Sequence, residues 1–217
     1  MYVGRIVSIA MTKDGRVCGI YRVSSRSFPN RTAVLREDTA SIVPKAGHEA
    51  DVHKNPYIAY NCVRVVCNGE VAVVTNGGQT DPIAEKIMNG MCSRDALVLS
   101  LMTLDYEKDA YNTPRIAGVV DKRNGGAGYL GIVREDGLEV RRMPVESGKF
   151  YYVATYEENT LSDAHSGTFG AESAEDACQF LLGGGVFAER TNPVAAVAAM
   201  GTHTGFELAT ADATNRS

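Results

Sequence analysis

Residues Tyr2 to Met11 alternate through Val3, Arg5, Val7 and Ile9, the period of a strand. Lys13-Asp14-Gly15 then turns the chain, and Val17 to Val23 returns as the second arm of a hairpin. Ser24 to Asn30 is polar, holds Pro29 and reads as a loop. Thr32–Leu35 and Ser41–Val43 are short strands, separated from the next element by a polar excursion over Lys45–Asn55. Tyr57 to Cys67 is a long β-rich run, with Tyr60, Cys62 and Arg64 on one face and Tyr57, Ala59 and Asn61 on the other. Asn68-Gly69 closes it, and Glu70–Thr75 returns.

Two helices follow. Thr80 or Asp81 caps the first, with Pro82 in its first turn and Gly90 past its end. Ser93 caps the second, whose apolar positions from Ala96 to Leu104 give out near Asp105–Glu107. Strands resume at Ile116–Asp121, turn through Lys122–Gly126, and continue at Tyr129–Arg134, Leu138–Met143 and Phe150–Tyr156. Ser173 caps a third helix, stopped by Gly183-Gly184-Gly185. A short Ala-rich helix at Val194–Met200 and a last strand at Phe206–Ala209 precede a disordered polar tail, Ala211–Ser217. Blocks of strands and helices, without regular alternation, predict an α+β class: antiparallel sheets with helices on their outer faces, in a single domain over residues 1–210.

Composition narrows the function. The 217 residues are 44% hydrophobic and 22% charged, as in an ordinary globular protein. A net charge of −4 argues against a nucleic-acid footprint, though not against a local basic pocket for a small anion. No apolar run reaches the roughly 20 residues of a membrane span, and the N-terminus lacks a signal-peptide core. Five scattered cysteines form no CxxC pair and read as reduced cytoplasmic thiols. His48, His53, His165 and His203 show no metal-ligand spacing.

Four segments hold the candidate chemistry. Tyr21–Arg31 packs Arg22, Arg26 and Arg31 with Ser24, Ser25 and Ser27, suited either to a phosphate or to a solvated loop. Asn55–Arg64 offers Tyr57, Tyr60 and Asn61, as base-stacking and hydrogen-bonding groups or as half-buried core. Thr75–Ile83 is a glycine-rich loop entering a helix; its amides suit an anion, although Asp81 would compete, and a plain capped turn fits equally. Leu104–Ile116 crowds Asp105, Glu107 and Asp109 at a helix end, where close carboxylates can acquire the raised pKa of an acid or base, or stay solvated.

Taken in order, YRVSSRSFPNR (Tyr21–Arg31), NPYIAYNCVR (Asn55–Arg64), NGGQTDPI (Asn76–Ile83) and LDYEKDAYNTPRIAG (Leu104–Gly118), with Tyr2–Arg5 ahead of them, resemble the motifs of the archaeal-type IMP cyclohydrolases. The likeness extends over nearly the whole chain. It implies a four-layer αββα sandwich of the N-terminal-nucleophile-hydrolase type, a cofactor-free and metal-free reaction on a purine nucleotide, and a cytoplasmic homo-oligomer, with a tetramer favoured. The chain starts Met1-Tyr2, so the fold is expected to work without its usual N-terminal nucleophile.

The implied reaction closes the second purine ring. A carboxamide nitrogen attacks a formyl carbon on the same formamido-imidazole-carboxamide ribonucleotide, water leaves, and inosine monophosphate forms. Only membership of the motifs carries over from the family; the roles are inferred from chemistry. Arg22, Arg26 and Arg31, with Ser24, are candidates for the phosphate and the formyl oxygen. Asn30 and Asn61 would orient the carboxamide, Tyr57 would stack on the imidazole, and Tyr60 would donate to the formyl oxygen. Glu107 is the leading base or acid, Asp105 its rival, and Arg115 a partner for either. Gln79 and Asp81 would line the ribose end. Two rival functions are an amidohydrolase using Cys62 and a non-catalytic module that binds purine nucleotides. The chain has no room for a second domain performing the preceding formyl transfer.

Overall fold

The computed structural model describes residues 1–123 and 126–213. Among the described residues, thirteen strands form two antiparallel sheets. The first contains β1 (Ile6–Met11), β2 (Val17–Ser24), β10 (Lys149–Ala154), β11 (Ser166–Thr168), β12 (Pro193–Gly201) and β13 (Phe206–Asp212), in the order β11-β10-β1-β2-β12-β13. The second is a meander of β3 (Arg31–Arg36), β4 (Thr39–Pro44), β5 (Tyr60–Val66), β6 (Val71–Thr75), β7 (Arg115–Asp121), β8 (Ala127–Arg134) and β9 (Gly137–Met143), each paired with the next. Helices α2 (Thr80–Met88) and α3 (Ser93–Leu104) cover the second sheet; α4 (Ala174–Gly183) covers the first; α1 (Asp51–Lys54) is a single turn.

Three apolar layers give the order α-β-β-α. Val7, Ile9, Val23 and Val197 meet Ile42, Val63, Val74 and Ile132 between the sheets. Ile6, Ile20 and Phe150 pack under Ala177, Cys178 and Leu181 of α4. Val71, Val73 and Val119 pack under Ile83, Ile87, Leu97 and Leu101 of α2 and α3. The sheets press closely enough that a Cβ on Gly118 of β7 would lie 2.9 Å from Val7 Cγ1 of β1. The expected α+β sandwich, with helices outside both sheets, is the arrangement found.

Several local expectations are corrected. Val194–Met200 belongs to the central strand β12, not to a helix. Alternate residues Ala195, Val197 and Ala199 face the other sheet, while Ala196, Ala198 and Met200 face α4. Burial on both faces removes the polar alternation that marks a strand, and pairing with β2 and β13 overrides alanine's helix propensity. The last strand runs on to Asp212, into the expected tail; Ala213 is the last residue described, and residues 214–217 lie outside. The expected turn at Lys122–Gly126 falls partly on residues 124 and 125, also outside.

Tyr57 is not in a strand. Pro56–Ile58 is a short helical turn whose Asn55 side chain accepts from Tyr57 N, so β5 starts only at Tyr60. The β4–β5 register then shifts: Ala40 pairs with Val63 but Ser41 with Asn61. This bulge at Cys62 breaks the period of two. Arg64 therefore joins Asn61 on the α2 side, reaching Asp81, while Tyr60, Val63 and Val65 face the sandwich interior. Of the expected caps, only Ser173 accepts from its helix, at Asp176 N. The Thr80 hydroxyl bonds Thr75 and the Asn61 carbonyl, and the Ser93 hydroxyl donates to Asp121.

Candidate active site

A cleft of about 720 Å³ opens at one end of the sandwich. Its walls come from the residues before β1 (Tyr2, Arg5), the loop after β2 (Ser24–Phe28), the turn before β5 (Asn55–Tyr57), the loop after α3 and Thr155–Glu157 after β10. Arg26 stacks its guanidinium 4.0 Å above the Tyr2 ring at this wall, with three serines beside it.

Arg5 leads from the cleft to a buried ionic cluster. Its Nη1 donates to Glu107 Oε2 at 3.0 Å. Glu107 has no exposed surface, and its backbone N–H donates to Thr113 O. Its other oxygen, Oε1, lies 3.7 Å from Arg115 Nη1 and accepts no hydrogen bond. Arg115 is fixed by donation from Nε to Asp105 O and from Nη1 to Gln79 Oε1. Gln79 is fixed in turn, its Nε2 donating to Asn76 Oδ1 and Ile116 O. Burial pushes the Glu107 carboxyl above the usual carboxylate range, against the pull of Arg5 and Arg115. A carboxyl shifted upward, with a free oxygen, is suited to taking up and returning a proton.

Between the sheets, Tyr60 of β5 and Tyr21 of β2 share a hydroxyl–hydroxyl bond of 2.6 Å. Burial raises the Tyr60 pKa, against the nearby cations Arg31 and Arg5. Arg31 is buried; its Nε donates to Phe28 O, and its Nη1 has no partner. An orphaned guanidinium N–H close to a phenol is a donor pair waiting for an oxygen.

The fold thus gathers Glu107, Tyr60 and Arg31 around Arg5, with Arg115 beside Glu107 and Gln79 bonded to Arg115, while Ser24, Arg26 and Tyr57 line the cleft. Arg115 lies over the Tyr57 ring at 5.6 Å. The other five expected residues point elsewhere. Arg22 faces α4: its guanidinium donates to Leu181 O, Leu182 O, Arg190 O, Thr191 O and Ser24 Oγ, capping the helix C-terminus instead of a phosphate. Asn30 is exposed beside His48. Asn61 and Asp81 are spent on each other and on Ser41 and Arg64, beside α2. Asp105 pairs with Lys108 at the surface, which holds its carboxyl below the usual range and removes it as a rival to Glu107. Asp109 is likewise occupied, accepting from Thr113 within its own loop.

Arg5 and Tyr21 were not selected from sequence, although both lie in segments that carry the resemblance. The available signal was a cation interrupting an apolar strand pattern at Arg5. Cys62 is fully buried and donates to Ala40 O; burial pushes its thiol up, the reverse of what a nucleophile needs. Among the described residues, no three His, Cys, Asp or Glu side chains are grouped to hold a metal.

A sequence-family profile described as "IMP cyclohydrolase-like protein" matches residues 2–205. A protein named IMP cyclohydrolase from Methanosphaera stadtmanae is 49% identical over 199 residues, covering 92% of this chain and 94% of that one. One of the same name from Methanocella arvoryzae is 52% identical, covering 81% and 83%, and one from Methanocaldococcus jannaschii 40% identical, covering 97% and 98%. With a family match spanning nearly every residue that builds the two sheets and the cleft, the chain belongs to the IMP cyclohydrolase-like family.

Proposed function

We propose that this chain closes the second ring of the purine base, converting the formamido-imidazole-carboxamide ribonucleotide to inosine monophosphate and water. The observation that carries the reading is the buried Glu107, held between Arg5 and Arg115 with one oxygen free, in a cluster with Tyr60 and the orphaned Arg31 N–H. Both reacting groups sit on one molecule, so the site's first task is to hold them together; positioning supplies roughly 7–11 kcal/mol in the best intramolecular cases.

In this reading Arg26 and the Ser24–Ser27 hydroxyls take the phosphate, and Tyr57 packs on the base. Glu107 accepts the carboxamide proton as its nitrogen attacks the formyl carbon. Tyr60 gives its proton to the formyl oxygen, with Arg31 donating alongside. The Tyr60 anion then removes the remaining formamide N–H proton. Glu107 returns its proton to the departing hydroxyl, which leaves as water. Both residues end as they began.

The reading takes residues 1–210 as one domain that performs closure only, in a cytoplasmic homo-oligomer with a tetramer favoured; sedimentation would measure the assembly. Among the described residues, no helix is long and apolar enough to cross a membrane. The function is tested by adding the formylated nucleotide to purified protein and following product absorbance. Enzyme-dependent formation of inosine monophosphate supports it. Binding of the nucleotide without turnover would favour the non-catalytic module.

A further inference from the structure

We infer that Tyr21 is a positioning residue: its hydroxyl, bonded to the Tyr60 oxygen, holds that hydroxyl in place and donates to the phenolate once Tyr60 has given up its proton. The inference rests on the ring-closure reading above. Tyr21 is fully buried on β2, and among the described residues its hydroxyl has one partner, Tyr60 Oη on the facing sheet at 2.6 Å. The rings meet edge to face with centroids 6.3 Å apart, so the contact is fixed by packing from both sheets. Tyr60 is half-buried and is the one of the two with access to solvent.

Two hydroxyls sharing one bond use one proton and leave the other free. In the neutral pair either hydroxyl can donate; once Tyr60 has lost its proton, only Tyr21 can. After burial, the strongest influences on Tyr60 are the cations Arg31 and Arg5, whereas the strongest on Tyr21 is Tyr60 itself. Tyr60 is therefore the partner that ionises more readily, and Tyr21 keeps its proton when Tyr60 gives up its own. When Tyr60 passes its proton to the formyl oxygen, one O–H bond breaks and another forms. The phenolate left behind already has a donor in Tyr21 and cations in Arg31 and Arg5. No other residue among those described offers Tyr60 Oη a hydrogen bond.

The test is Tyr21→Phe, which keeps the ring and deletes only the hydroxyl. Expected are a kcat lower by roughly tenfold or more, the effect of losing a hydrogen bond to a charged group, a KM within about twofold, and a basic limb of the pH–rate profile moved upward. The Tyr21→Phe/Tyr60→Phe double variant should be no slower than Tyr60→Phe alone. Fluorotyrosine at position 21, a stronger donor with the same ring, should move the basic limb downward even if the Phe variant folds poorly. An unchanged kcat and basic limb in Tyr21→Phe, or additive losses in the double variant, would overturn the inference while leaving ring closure intact. A wild-type protein that forms no product would remove both, and so marks failure of the functional reading itself.

Discussion

Gly77 offers a sharp test of how the buried carboxylate is held. A Cβ at this position would lie 2.8 Å from Gln79 Oε1, 2.9 Å from Arg115 Nη1 and 3.2 Å from Glu107 Oε1. Neither of the two nearest groups can yield freely. Gln79 is tied at Nε2 to Asn76 and Ile116, and Arg115 at Nε to the Asp105 carbonyl. Relief of the clash must break or lengthen at least one buried hydrogen bond, at about 1–3 kcal/mol. For a domain of this length that corresponds to a Tm lower by roughly 2–4 °C per kcal/mol. The same shift moves Arg115 relative to Glu107, and a displacement near 1 Å can cost about 10²-fold in rate. Gly77→Ala should therefore lose turnover by far more than its stability loss alone would cause, read by steady-state kinetics beside a thermal melt. Gly78 is the control: a Cβ there meets nothing within 4 Å, and neither glycine has a positive φ. Wild-type kinetics and Tm in Gly77→Ala, or equal losses in Gly78→Ala, would show that this glycine does not hold Arg115 against Glu107.

Three further outcomes follow from the same geometry. Because burial raises the Glu107 pKa in the folded state, this group's contribution to stability is complete below the ordinary carboxylate pKa and is lost as pH rises through the folded value; Glu107→Gln should flatten that part of the stability–pH curve measured by denaturant titration. Arg22→Met should lower Tm, since five acceptors, two of them carbonyls at the end of α4, lose their donor, with KM close to wild type, whereas Arg26→Ala should raise KM and leave Tm nearly unchanged. Cys62→Ala should keep near-normal turnover, and alkylation of the folded protein should not inactivate it through this thiol; the opposite result would revive the amidohydrolase.

The elements that alternate or are flanked by turns were legible in the sequence: the β1–β2 hairpin, the Asn68-Gly69 turn, α2, α3 and α4. β12 was not, because its alanines are buried on both faces and carry no polar mark. The Cys62 bulge was invisible for a different reason. It changes register by one residue through pairing with β4, and so sends Arg64 to α2, an effect set by a neighbouring strand. The site was legible as segments but not as contacts. Glu107 was identified among three carboxylates, yet what sets it apart is Arg5, 102 residues earlier. Tyr60 was identified, but its partner Tyr21 lies on the other sheet. Arg22 was misjudged because composition counts guanidinium groups without seeing the face they occupy; strand parity turns this one to the carbonyl end of α4.

In the proposed reaction Glu107 and Tyr60 move protons, in a site that otherwise only positions its substrate. The most direct measurement compares kcat with product affinity in Glu107→Gln and Tyr60→Phe. Each should lower kcat by about 10²-fold or more while inosine monophosphate still binds the folded protein with near-normal affinity. Near-normal turnover in both variants would contradict these roles.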